Sequence, residues 1–166
     1  MDIIYIDCAM GISGDMFLGA MIDLGVDLEL IKNELARLPI NSDEIDIETT
    51  REERHSITGT GFRVRLKEGK EHRKYREIKR LIKQSAFSPR VEELSLSIFE
   101  KIAVAEGRIH NVPPEEVHFH EIGAIDSIVD IIGAAVAVDS LGSPTFYAST
   151  VALGSGTAKT MHGIIP

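Results

Sequence analysis

Apolar and polar positions along the chain change period several times, and each change marks an element. Ile3, Ile4, Tyr5 and Ile6 form a short apolar run that predicts a strand ending at Asp7. Gly11-Ile12-Ser13-Gly14 predicts a turn, and Asp15 opens an amphipathic helix over Met16 to Leu24, with Gly25 as its C-cap. Asp27 is placed to cap a second helix, Leu28 to Leu38, stopped at Pro39. From Ile45 the period becomes two. Ile45 and Ile47, then Phe62, Val64 and Leu66 with Arg63 and Arg65 between them, predict two strands, antiparallel if joined directly. Lys67 to Arg73 is a charged loop. Tyr75, Ile78, Leu81 and Ile82 then mark a helix with Arg76, Lys79, Arg80 and Lys83 on its wet side.

Ser88-Pro89 is a helix start, with the cap first and proline at the first helical position. Val91, Leu94, Ile98, Ile102 and Ala105 hold helical spacing beyond it, and Asn111-Val112-Pro113-Pro114 breaks the chain. A short extended His118-Phe119-His120 follows. A long helix from about residue 124 to Leu141, closed by Gly142, comes next. Phe146 to Leu153 predicts a strand leading into Gly154-Ser155-Gly156. No repeat, low-complexity tract or linker interrupts this order. The mixture predicts an α/β (or α+β) fold, a mixed sheet packed with helices in one compact domain over residues 1–166.

Composition narrows the class. A chain of 166 residues can bury about 70% of its unfolded surface and needs no disulfide. Cys8 is the lone cysteine, which excludes a disulfide framework and points to a reducing, cytoplasmic setting. Asp126, Asp130 and Asp139 interrupt the longest apolar stretch and argue against a membrane span. The net charge of −8 hides an asymmetry. Residues 1–49 hold eleven acids and two bases, residues 50–110 nine and fifteen, and residues 111–166 six and one. A basic middle between acidic flanks can take an anion while the flanks take cations. Nucleic acid is the weaker reading of the basic stretch from Arg63 to Lys83, because the chain lacks Trp and only 5% of it is aromatic. A small phosphorylated ligand fits better; a solvated helix face is the plain alternative.

Three constellations carry candidate chemistry. Asp7 with Gly11, Ser13, Gly14 and Asp15 joins a strand, a glycine-rich turn and a helix start, which can present backbone N–H groups to an anion. The two carboxylates favour a metal or a metal–phosphate pair over bare phosphate; the alternative is a tight turn with Asp15 stabilising the helix end. His118, His120 and Glu121 form the second set. In extended chain the two imidazoles share a face, ~6.6 Å apart, a ligand set suited to nickel, zinc, iron or manganese. Two surface histidines beside a turn are the alternative. Asp126 and Asp130 form the third, at i and i+4 on a helix otherwise apolar all round. Buried carboxylates there call for a metal, a substrate or a basic partner. Gly154-Ser155-Gly156 and His162-Gly163 are a weaker candidate loop. Cys8 reads as a small packed residue more readily than as a reactive thiolate. Because residues 162–166 carry neither a polar tail nor a closing helix, we expect a domain cut from a longer protein, or half of a split one.

Together these motifs resemble the LarC-type nickel-insertion proteins. The resemblance runs from Asp7-Cys8-Ala9-Met10-Gly11-Ile12-Ser13-Gly14-Asp15-Met16, with Leu18-Gly19-Ala20 and Asp23-Leu24-Gly25-Val26-Asp27, through Ile102-Ala103-Val104-Ala105-Glu106-Gly107. It is strongest from His118 through Asp126 and Asp130 to Gly133, and continues in Gly154-Ser155-Gly156 and His162-Gly163-Ile164-Ile165-Pro166. It implies a nickel chelatase (a lyase) that inserts Ni(II) into pyridinium bisthiocarboxylate mononucleotide, giving the nickel pincer cofactor of lactate racemase. CTP, with Mn(II) or Mg(II), is used by the full-length family and bound in a C-terminal half that lies beyond this N-terminal part.

On that reading His118, His120 and Glu121 hold the metal, helped by Asp126 or Asp130. Gly11, Ser13 and Gly14, with His72 and Arg73, hold the mononucleotide phosphate, and Asp7, Asp15 or His162 takes the ring proton. The expected partners are the mononucleotide substrate and the C-terminal half, with no nucleic acid and no membrane; a homo-oligomer is a further expectation. The rival readings are a metal-dependent phosphohydrolase using the same His/Asp set and a non-catalytic scaffold half.

Overall fold

The computed structural model describes residues 3–40, 45–66, 73–119, 125–160 and 163–165. Strand β1 (Ile3–Ile6) runs into the glycine-bearing turn and helix α1 (Gly14–Asp23), as the apolar run and the turn residues predict. Helix α2 (Leu28–Leu35) starts where Asp27 Oδ1 accepts from the Glu29 backbone N–H at 3.0 Å. It ends three residues short of the predicted Leu38. Residues 36–38 bend through single-turn hydrogen bonds that seat Leu38 in the core.

β2 (Ile45–Arg54) and β3 (Ile57–Leu66) form the predicted antiparallel pair, and they are longer than their apolar residues alone mark. The turn between them puts His55 at φ 50° and Ser56 at φ 63°. Two consecutive left-handed residues twist with the strands and so close a two-residue hairpin. The register places Arg63 opposite Glu48 and Arg65 opposite Asp46, and the ion pairs run diagonally, Arg63 to Glu52 and Arg65 to Glu48. Two of the ten bases between Arg63 and Lys83 are thereby neutralised by acids of the neighbouring strand.

Helix α3 (Tyr75–Gln84) buries Tyr75, Ile78 and Ile82. Helix α4 (Pro89–His110) starts as predicted: Ser88 Oγ accepts from the Val91 N–H at 3.2 Å and donates to Asp139 Oδ2 at 2.8 Å. Ser88→Ala should therefore destabilise the chain by about 1–2 kcal/mol in urea titration, losing a cap and stranding Asp139. Helix α5 (Ile125–Ser140) buries Ile125, Ile128, Val129, Ile132 and Val136, as an apolar helix must. Gly133 lets Leu18 of α1 and Ile31 of α2 approach its backbone.

β4 (Thr145–Ala148) pairs parallel with β1 and stops well short of the predicted Leu153, because residues 151–153 turn out into solvent. A short hairpin, β5 (Ala158–Thr160) with β6 (Gly163–Ile165), follows. Among the described residues the strands thus form three two-stranded sheets, one parallel and two antiparallel, around a helical core, which is an α/β arrangement. No described helix is long and apolar enough to cross a membrane.

Candidate functional site

The loop after β1 is built by short-range bonds. Asp7 Oδ1 accepts from the Ala9 N–H at 3.1 Å, and Ser149 Oγ donates to it at 3.4 Å. The same hydroxyl accepts from the Cys8 N–H at 2.7 Å, while the Cys8 carbonyl takes the N–H groups of Gly11 and Ala152. Gly11 sits at φ +83°, where a side chain is strained. Cys8 is buried, as a small packed residue. Ser149, which ties Asp7 to the chain after β4, escapes sequence reading: it is one hydroxyl in a loop with no spacing signal.

Ser13 precedes α1 without capping it; its hydroxyl donates to Asp15 Oδ1, which also accepts from the Met16 N–H. The start of α1 lies on α5. A Cβ on Gly14 would stand 2.6 Å from Asp130 Cβ, so only glycine lets this backbone reach the carboxylate. Ser13, Gly14 and Asp130 help to line a groove of about 710 Å³. Its walls are Phe17 of α1, Leu94, Ile98 and Ile102 of α4, and Ile131, Ala134 and Val138 of α5. Helical spacing alone does not mark these residues as lining a groove, since stripes at that spacing look alike whether covered or open.

Asp130 is half-buried here. Desolvation first, then the charges of Asp15 and Asp126, push its carboxyl up to about 6, and no hydrogen bond from a described residue offsets them. Asp126 is exposed on the first turn of α5, with Oδ1 on the Ser127 N–H. The structure thus brings Ser13, Gly14, Asp15, Asp126 and Asp130, two separate constellations in sequence, to one locus.

A second locus joins Arg73 and His118. The Tyr75 N–H donates to the Val117 carbonyl and the Phe119 N–H to the Arg73 carbonyl, so Lys74 bridges His118 in antiparallel fashion. Val117 and Phe119 are buried and His118 is exposed, the alternation of extended chain. Lys74 and Arg76 both pair with Glu116, whose carboxylate is held below its ordinary range first by the Lys74 hydrogen bond and then by the Arg76 charge. His72, His120, Glu121 and His162 lie outside the described residues. Among the described residues no three His, Cys, Asp or Glu side chains converge to hold a metal ion.

The family model described as nickel insertion protein matches residues 4–166. A protein of Syntrophobacter fumaroxidans named for nickel insertion is 49% identical over 98% of this chain and 41% of its own length. One from a Geobacter species, with the same name, is 47% identical over the whole chain and 43% of its own. A pyridinium-3,5-bisthiocarboxylic acid mononucleotide nickel insertion protein of Desulfitobacterium hafniense is 42% identical over 98% of the chain and 40% of its own. The chain thus spans about two fifths of the length of these relatives. No solved structure matches it. The chain belongs to the nickel insertion protein family.

Proposed function

We propose that this chain is the metal-handling part of a cytoplasmic nickel chelatase that inserts Ni(II) into pyridinium-3,5-bisthiocarboxylic acid mononucleotide, giving the nickel cofactor of lactate racemase. The observation that supports this most directly is the locus where the start of α1 lies on Asp130, beside Asp15 and Asp126. Carboxylate and imidazole bind Ni(II) weakly enough to release it to sulfur, a softer donor. We assign the metal to His118, His120 and Glu121 together with Asp126 or Asp130. The phosphate goes to Gly11, Ser13 and Gly14, with His72 and Arg73, where the start of a ten-residue helix favours an anion. The carboxylates beside it favour a phosphate that arrives with its cation.

Formation of the carbon–nickel bond requires loss of the ring proton. The C–H electron pair becomes the bond to nickel and the proton passes to a base, for which we propose Asp7, Asp15 or His162. Arg63, Arg65, Lys74 and Arg76 are engaged by acids of the same chain. We therefore assign CTP, and the Mn(II) or Mg(II) that accompanies it, to the additional polypeptide that the longer relatives carry, and derive no step through them. Titration calorimetry with nickel chloride tests the metal assignment. The wild-type chain should bind, and His118→Ala and Asp126→Ala should each weaken binding at least about tenfold. A wild-type chain that binds no nickel, or variants that bind as it does, would sink the assignment.

A further inference from the structure

β1 and β4 run parallel, and parallel sheets are covered on both faces. One face of this pair is covered: Ile4 is buried, and Phe146 sets its ring 6.0 Å from that of Phe17 on α1. The register places Ile3 beside Thr145 and Tyr5 beside Tyr147 on the other face. There Ile3, Tyr5 and Tyr147 are 60%, 65% and 57% exposed. The segments leaving the two strands are joined by the hydrogen bond from the Ala152 N–H to the Cys8 carbonyl, and Met10, Val151 and Leu153 on them are exposed as well. Scattered exposed apolar side chains are ordinary, but a contiguous set on a parallel sheet marks a contact surface. Among the described residues each of the two strands also keeps one unpaired edge.

A second copy of the chain is a poor cover for this face. Residues 1–49 and 111–166, from which both strands come, hold seventeen acids against three bases, so two copies would bring segments of like net charge together. The relatives, in contrast, carry more than half of their own length in addition to the part that matches this chain. We propose that this additional polypeptide packs an apolar element, rimmed with basic residues, over the Ile3–Tyr5–Tyr147 face and completes the β1–β4 sheet. The inference rests on the reading that the chain works jointly with that polypeptide.

Hydrogen exchange read by mass spectrometry tests it on two proteins. One is this chain. The other is a chimera in which it replaces the matching part of the Syntrophobacter fumaroxidans relative. Amides of residues 3–6 and 145–148 should exchange at least about tenfold more slowly in the chimera, and fast in the chain alone at every concentration. Tyr147→Asp should leave the chain's own melting unchanged and restore fast exchange in the chimera. Equal exchange in the two proteins would overturn the proposal, as would protection in the chain that grows with concentration, which assigns the face to a second copy. Protected strands in a chimera that inserts no nickel would sink the functional reading and leave the docking face standing. Nickel insertion with unprotected strands would do the reverse.

Discussion

Among the described glycines, Gly19→Ala should be the most damaging alanine substitution. Gly19 lies on the face of α1 that meets β3, and a Cβ there would overlap the Thr60 carbonyl oxygen and press on the Thr60 carbonyl carbon at 3.3 Å. The obstacle is backbone, held in place from both sides. Thr60 donates its N–H to Asp23 Oδ2 at 3.0 Å and its hydroxyl to Asp23 Oδ1 at 2.7 Å, and Arg51 pairs with the same carboxylate. These bonds hold the Asp23 carboxyl below its ordinary range, the Thr60 hydroxyl first among them. α1 can make room only by leaving the hairpin, which would loosen Phe62 and Leu18 in the core. Overpacking of this kind destabilises by about 3 kcal/mol, equivalent to a fall in Tm of roughly 6–12 °C for a chain of this size. Thermal unfolding followed by circular dichroism checks it; an unchanged Tm would mean that α1 and β3 are not seated as described.

Asp130→Asn is expected to stabilise the chain and to weaken its nickel chemistry. The Asp130 carboxyl titrates at about 6 in the folded chain against 3.8 ordinarily, because the groove desolvates it and Asp15 and Asp126 repel its charge. Between those values the folded state holds more protons than the unfolded state. Stability therefore falls as pH rises from about 4 to about 6, and it stays lower above that range. The penalty at neutral pH is roughly 1–3 kcal/mol for a half-buried group. Asparagine keeps the shape and drops the charge. The variant should thus unfold at higher urea than wild type at pH 7.5 and at nearly the same urea at pH 4. If Asp130 helps to hold Ni(II), the same variant should bind nickel chloride at least about tenfold more weakly. A gain in stability with nickel binding intact would make Asp130 a strained structural residue and remove it from the proposed ligand set.

Much of the local structure was legible because local chemistry decides it. Asp27 and Ser88 cap the helices that they precede, Gly25 and Gly142 take the left-handed angles that follow helix ends, and the alternation from Ile45 and from Phe62 does form a ladder. The sequence misjudged lengths where tertiary contacts intervene. α2 closes early so that Leu38 can turn into the core, and β4 stops once its chain leaves β1. The candidate site was half legible. Asp126 and Asp130 stand out as charges on an apolar helix, and Gly14 stands out beside Asp15. That Gly14 and Asp130 touch was not legible, since 116 positions separate them and no local pattern encodes that contact.

The residues by themselves determined the order of elements as far as β4, the caps of α2 and α4, the charge asymmetry and the family, because each depends on neighbours in sequence or on motifs read in order; the β5–β6 hairpin was read only as a loop. Only the tertiary structure decided which charges meet. It neutralised Arg63 and Arg65 against Glu52 and Glu48, so the basic middle is less available to an anion than its count suggests. It placed Asp15 and Asp126 near enough to raise Asp130, and it left the outer face of β1 and β4 open. The physical reason is common to all three. Electrostatic and packing energies depend on distance and burial in space, and those are fixed only when remote segments of the chain are brought together.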